Sequence, residues 1–328
     1  MTSFPNYCPL PEWARHEAVW IGFPGAANLW EGALAPAQTE VAAFAAAVHA
    51  DGTGEAVWLV AADEMAADEA RRLAPFAGVI VEPFGDIWLR DTGAILCGTG
   101  ASRRAQGFGF NGWGGRYDLP GDDSIGERLA TAAGLAYRKS DWILEGGAIE
   151  GDGTGLFLTT EQCLLNPNRN PGFDRKEVEK RLERDLGATR IVWLVDGLLN
   201  DHTDGHIDNL ARFVAPGRVA IPEAVDDDPN AAAYADAAEA LLDADLEVVA
   251  IPSPGLVESD GKVIPASYMN FYIGNAVVVV PQYGAPNDSA AVEALQDIFP
   301  GRRVLGLRAD HVLTGGGSFH CITQQVPT

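Results

Sequence analysis

Cys321 closes a glycine-rich run, Gly315-Gly-Gly-Ser-Phe-His-Cys321. Such backbone lets a ligand approach closely and tolerates unusual dihedrals. An ordinary thiol, with a pKa near ~8.5, is mostly protonated at neutral pH. A cationic substrate or a protonated histidine beside it would favour the nucleophilic thiolate. A second segment, His202-Thr-Asp-Gly-His-Ile-Asp208, packs two histidines and two aspartates into seven residues. Read as a strand, its period of two puts His206 and Asp208 on one face. That pairing suits acid–base work beside a charge-binding carboxylate. A rival reading makes His202, Asp204, His206 and Asp208 the site of a metal-dependent hydrolase, since both residue types ligate divalent ions. A third reading is structural, with Asp204 as a helix cap and His206 as a core histidine. Asp91 follows Trp88 and Arg90 in a β-like run, and Glu145 precedes Gly146 and Gly147 at a strand end. The other cysteines, Cys8, Cys97 and Cys163, read as inert.

One thiol, one histidine and several carboxylates is not the layout of a cysteine protease, where a single polar group orients the histidine. The extra carboxylates call for a cation at the reacting centre. A guanidinium fits: it is planar, charged across neutral pH, and matched by carboxylates. Paired aspartates offset the cost of burying its charge.

The elements that must bring these residues together form a repeat. Apolar residues at helical spacing predict helices over Ala37–His49, Asp63–Leu73, Ser124–Ala133, Arg175–Leu186, Ala231–Leu242 and Ser289–Phe299, with Pro36 just before the first. Strands follow over Gly78–Val81, Arg190–Val195, Leu246–Ile251 and Arg303–Leu307, so the class is α/β. Five segments share one design, a polar or glycine cluster leading into paired strands. Their markers Asp91, Glu145, His206, Asn270 and Cys321 lie 51 to 64 residues apart. That period implies repeated strand–strand–helix–strand units. The fifth lacks a second strand, and Glu17–Phe23 reads as a strand without a local partner. The N-terminal strand is therefore expected to complete the last unit and close a ring, converging five polar clusters on one centre.

Composition narrows the partners. The chain has 328 residues, 47% of them hydrophobic, and is expected to form a single catalytic domain spanning residues 1–328. Its 23 basic against 46 acidic residues leave a formal charge of −23, which disfavours nucleic acid and favours a small cation. The start, Met1 to Pro11, has no signal-peptide pattern, and the densest apolar run, Ala276–Val280, is too short to span a bilayer. The four cysteines show no C-x-x-C spacing, so reduced thiols and a cytoplasmic setting are expected.

Together the motifs resemble the agmatine deiminases, within the guanidine-modifying superfamily that also holds the bacterial peptidylarginine deiminases. The resembling segments are Trp13-Ala-Arg-His-Glu17 with Trp20, Trp88-Leu-Arg-Asp-Thr-Gly93, Phe110-Asn-Gly-Trp-Gly-Gly115, Leu144-Glu-Gly-Gly147, Thr159 to Pro171, Gly205-His-Ile-Asp-Asn209 and Gly315 to Gln325. The resemblance implies a five-bladed α/β-propeller (the pentein fold) and no metal or organic cofactor. It implies Cys321 as nucleophile, His206 as general acid and base, Asp91 and Asp208 as holders of the guanidinium, and Glu145 as the residue that orients His206. The implied reaction converts agmatine to N-carbamoylputrescine and ammonia through an S-alkylthiouronium on Cys321. Peptidyl, free or methylated arginine is the alternative substrate class. Candidate substrate contacts are Trp88, Trp113, Asp204, Asn209, Gly315 and Gly316, with Asp204 at the far amine and Trp88 along the aliphatic chain. The chain departs from the family pattern at Ala94, at Ser318 and at His202, where an acidic or polar residue is common. A homo-oligomer is compatible with all of this.

Overall fold

The computed structural model describes residues 9–30, 32–259 and 261–328; Cys8 lies outside them. β1 (His16–Phe23), β2 (Ala56–Ala61) and β3 (Gly78–Val81) run parallel, with helices Leu34–His49 and Glu64–Leu73 as crossovers. Four three-stranded sheets follow. They comprise β4 (Ile95–Cys97), β5 (Arg104–Gly109) and β6 (Ala136–Ile143), then β7 (Ile149–Gly151), β8 (Leu156–Thr160) and β9 (Arg190–Leu194). Next come β10 (Arg212–Ala215), β11 (Arg218–Glu223) and β12 (Glu247–Pro252). After a short hairpin, β13 (Glu258–Ser259) and β14 (Lys262–Val263), the last is β15 (Tyr272–Ile273), β16 (Val277–Gln282) and β17 (Arg303–Arg308). In each of the four, the first strand pair is antiparallel and the second parallel. A helix makes each parallel crossover: Ile125–Ala132, Arg175–Leu186, Ala231–Asp243 and Asp288–Ile298. Finally β18 (Thr323–Pro327) pairs antiparallel with β1, placing Gln325 opposite Val19. The expected completion of the last unit by the N-terminal strand is thus observed, and five sheets share one plan.

Local sequence explains the boundaries. Helix Arg175–Leu186 begins where the Asp174 carboxylate accepts the Glu177 N–H at 2.9 Å, and it ends at Gly187 with φ 73°. Pro36 stands inside the first turn of Leu34–His49 rather than before it, still where no helical N–H is needed. That helix buries Ala37, Val41, Phe44, Ala45 and Val48 on one face, and Phe44 stacks on Phe319 at 4.6 Å. The nucleophile candidate is therefore anchored two residues from a packed aromatic pair. Among the described residues, no helix is long and apolar enough to cross a membrane.

The polar clusters do not lie on strands. Leu89–Thr92, Gly146–Ala148, Ile207–Asn209 and Tyr268–Asn270 are single helical turns, and residues 319–322 form a fifth turn. Each lies between the last strand of one sheet and the first strand of the next. The β-like reading of Asp91 and the alternating reading of His206 and Asp208 are corrected accordingly. A turn of three or four residues is too short to display a period, so the flanking apolar residues had suggested strand.

Candidate active site

The turns are stitched to one another by hydrogen bonds. Gly147 N–H donates to Asp91 Oδ1 at 2.9 Å, and Arg90 N–H donates to the Cys321 carbonyl at 3.0 Å. Ser267 Oγ donates to the Asn209 carbonyl at 2.7 Å, and His320 N–H to the Asn270 carbonyl at 3.2 Å. Asp91, Glu145, His206, Asp208 and Cys321 are all buried as a result.

Cys321 Sγ lies 3.5 Å from Asp208 Oδ2, and Asp91 Oδ1 lies 3.7 Å from His206 Nδ1. Gly147 makes this crowding possible: a Cβ there would sit 2.6 Å from His206 Nδ1, 2.9 Å from Asp91 Oδ1 and 3.2 Å from Asp208 Oδ2. Asp91 Oδ2 also accepts the Trp113 indole N–H at 2.9 Å. Behind Asp208, His320 bridges two carboxylates, with Nδ1 2.7 Å from Asp208 Oδ2 and Nε2 2.9 Å from Glu12 Oε2. Each ring nitrogen of His320 thus faces a carboxylate oxygen. Arg212, fully buried, then pairs with Glu12 at 3.1 Å and Glu150 at 3.2 Å.

These neighbours set the charges. Burial alone would raise Asp208, but the His320 hydrogen bond and charge, with His206 and Arg212, hold it below the usual carboxylate range. Asp91 is pushed up, by burial first and by the nearby carboxylates. Burial opposes charge on His206, yet Asp91, Cys163 and Glu145 outweigh it and raise the imidazole well above its usual value. Cys321 is pushed well up, by burial and then by Asp208 and Asp91. In the free protein these surroundings favour the thiol form of Cys321 and the protonated form of His206.

A cavity of about 370 Å³ opens onto the sulfur. Trp30, Trp88, Trp113, Asp86, Asp91, His202 and Gly315 to Gly317 are among its lining residues. Trp88 stacks with Trp30 at 6.4 Å and spans the space between two groups. Its indole N–H donates to Asp86 Oδ2 at 2.8 Å. Its other edge abuts Gly317, where a Cβ would sit 2.7 Å from Trp88 Cζ3 and 3.1 Å from Cys321 Sγ. Burial pushes the Asp86 carboxyl up to about 6.

Four of the expected substrate contacts, Trp88, Trp113, Gly315 and Gly316, line this cavity. Asp204 and Asn209 do not. Asp204 is turned into a polar cluster, taking Arg169 Nη1 at 2.7 Å, Asn168 Nδ2 at 2.9 Å and the Arg116 guanidinium. Its charge is already met, so no far-end amine is left for it to bind. Asn209 Oδ1 instead accepts from Asn270 Nδ2 at 2.9 Å. Glu145 gives both oxygens to Arg169 Nε, at 2.8 and 3.0 Å, rather than a hydrogen bond to His206. Both His206 ring nitrogens are buried without a hydrogen-bond partner of normal geometry. Among the described residues, Glu145, Cys163 and His206 alone bring candidate metal-ligand atoms within 4.8 Å of one another. The guanidinium of Arg169 already fills the cation place beside Glu145. The quartet His202, Asp204, His206 and Asp208 does not converge, because the segment is a turn and Asp204 faces Arg169.

Sequence reasoning missed Asp86, Trp30, Arg169, His320 and the closeness of Cys163 to His206. Asp86 stands two residues before the Trp88–Gly93 motif and Arg169 lies inside the Thr159 to Pro171 segment, so both had a positional signal. Trp30 had none.

A model of the Porphyromonas-type peptidyl-arginine deiminases matches residues 9–327. The agmatine deiminase of Stutzerimonas stutzeri is 36% identical, over 100% of this chain and 98% of that one. The solved agmatine deiminase of Enterococcus faecalis has a TM-score of 0.93 at 31% identity, covering 100% of this chain and 98% of that chain. A C. jejuni agmatine deiminase solved with substrate bound has a TM-score of 0.90 at 26% identity, with the same coverage. With the family pattern running through nearly its whole length, the chain belongs to the Porphyromonas-type peptidyl-arginine deiminase family.

Proposed function

We propose that this chain is an agmatine deiminase, releasing ammonia and N-carbamoylputrescine. The observation that carries the reading is the cavity along Trp88, with a thiol beside two carboxylates at one edge and Asp86 at the other. Agmatine has a guanidinium, four methylenes and an amine. Its methylenes match an indole wall, its guanidinium the carboxylates, and its amine Asp86. Asp86 replaces Asp204 as the partner of the amine. The agmatine deiminase names of the relatives support the same substrate over a peptidyl arginine.

The chemistry follows from the charges. Substrate guanidinium lies between Asp91 and Asp208, cancels their repulsion of the sulfur, and lets Cys321 lose its proton to solvent. The thiolate attacks the guanidinium carbon, forming the C–S bond. His206, already protonated, gives its proton to a departing nitrogen, the C–N bond breaks and ammonia leaves. The neutral His206 next takes a proton from water. Hydroxide adds to the thiouronium carbon, the C–S bond breaks with its electron pair going to Cys321, and the hydroxyl proton is lost to solvent as the urea carbonyl forms. Glu145, held by Arg169, contributes negative charge beside His206 and not a direct hydrogen bond. The repeated sheets support one domain arranged as a five-bladed α/β-propeller of strand–strand–helix–strand units, with the five turns at its centre.

The test is ammonia release from agmatine, arginine, an N-acyl arginine amide and methylated arginine, comparing the native chain with Cys321→Ala. Agmatine is expected to be turned over fastest, and the variant to be inert. No ammonia from any guanidine, or undiminished release by Cys321→Ala, would overturn the reading.

A further inference from the structure

Asn270 marks the fourth repeat segment, and the reaction above gives it no task. Its amide orientation is fixed by its surroundings. Oδ1 accepts two backbone N–H groups, from His320 at 3.0 Å and from Cys321 at 3.2 Å. The NH2 group must therefore lie on the other side. One of its hydrogens goes to Asn209 Oδ1 at 2.9 Å, and Asn209 Nδ2 reaches Asp201 Oδ2 at 3.4 Å. The other points at Cys321 Sγ, 3.0 Å from Nδ2. Asn270 is 1% exposed, so water does not compete for it.

The sulfur otherwise sits among groups that disfavour its anion. Asp208 Oδ2 accepts from the thiol at 3.5 Å and would repel a thiolate, and Asp91 adds to the same field. The amide of Asn270 donates directly to the sulfur, beside the Ser318 backbone N–H.

We propose that Asn270 is a catalytic residue, its side-chain amide donating to Cys321 Sγ and stabilising the thiolate both as it attacks and as it departs. The inference rests on the deiminase reading and deepens it. The substrate cation removes the repulsion from Asp208 and Asp91, and the amide supplies the attraction. A merely structural asparagine would need only an acceptor for the two backbone N–H groups. Here the donor end is what touches the reacting atom.

Asn270→Asp keeps the shape and that acceptor and replaces the donor with an oxygen. Steady-state ammonia release from agmatine should show kcat reduced about ten- to hundred-fold, with KM within about threefold. The rate of Cys321 alkylation by iodoacetamide, followed by peptide mass spectrometry across pH, should shift to higher pH. Asn270→Ser, which also loses the amide but adds no charge, should move both in the same direction by less, and it carries the test if the aspartate variant does not fold. Unchanged kcat and alkylation profile in a folded variant would overturn the proposal, as would a loss confined to KM. If the native chain releases no ammonia from any guanidine, the deiminase reading fails instead, while alkylation still reads the amide–sulfur contact.

Discussion

Gly147 is a residue at which the site tolerates little change. Three charged side chains from two other turns converge on it, and only the missing Cβ leaves them room. Its φ is not positive, so alanine there meets no backbone penalty. Gly147→Ala should therefore fold, with a melting temperature lowered by the overpacking, while His206 and Asp91 are pushed apart. A displacement of this size in a catalytic pair is expected to lower kcat by about a hundredfold. Ammonia assays beside a thermal melt decide it, and a variant with native kcat would refute the crowding argument. Asp86 makes a different prediction, one about pH. Burial raises its carboxyl to about 6, so it is ionised above that pH and protonated below. Its attraction for the substrate amine is then present at neutral pH and lost as pH falls through about 6. KM for agmatine should rise over that interval, whereas KM for butylguanidine, which lacks the amine, should not. Asp86→Asn should abolish the difference and raise the neutral-pH KM for agmatine about ten- to hundred-fold.

At the scale of elements, the regular pieces were readable because they are long enough to show their periods. The strand over Gly78–Val81 and the helix over Arg175–Leu186 fall where alternation and helical spacing put them. The repeat was readable because its polar markers recur. Residues Cys321, His206, Asp91 and Asp208 were named from their motifs, and the structure gathers them in one place. What could not be read was pairing across units. Asp204 looked like a free carboxylate because its partner Arg169 lies 35 residues away and Arg116 88 residues away. Asp91 looked like a strand residue because one helical turn has no pattern of its own. Arg169 shows what such a pairing carries. It is fully buried, holds Glu145 and Asp204, and donates to the Thr203 carbonyl at 2.7 Å. It so joins the turn after β6 to the loop that leads to His206. Removing it leaves Glu145 without its cation and Asp204 with Arg116 alone, and Arg169→Ala should cost about 3–5 kcal/mol in urea unfolding. A loss below about 1 kcal/mol would mean the ion pairs are solvated and weak.

At the scale of the molecule, the pairing of β18 with β1 links function to closure. β1 has β2 on one side, and on the other it has only the strand that follows the nucleophile. Cys321 stands two residues before that strand, so the turn that aims the sulfur is fixed downstream by the pairing itself. The same turn is held upstream by Phe319 against Phe44, and laterally by Arg90 N–H on the Cys321 carbonyl. Deleting residues 323–328 removes one of the constraints on the sulfur and exposes an edge of β1. The truncated chain should lose ammonia release and melt at least about 5 °C lower, since each kcal/mol lost from a chain of this size moves the midpoint by a few degrees. A circular permutant separates pairing from chain continuity. Pro9 bridges to Cys97 and the Thr328 carbonyl accepts the Gly100 N–H, so a linker can join residue 328 to the segment that leads into Pro9, and the exposed turn at Asp226 and Asp227 can supply new ends. If strand pairing is what holds the sulfur in place, the permutant should keep activity and melting temperature while the truncation loses both. A truncation that retains activity, or a folded permutant that loses it, would show that the nucleophile's position is set within its own turn.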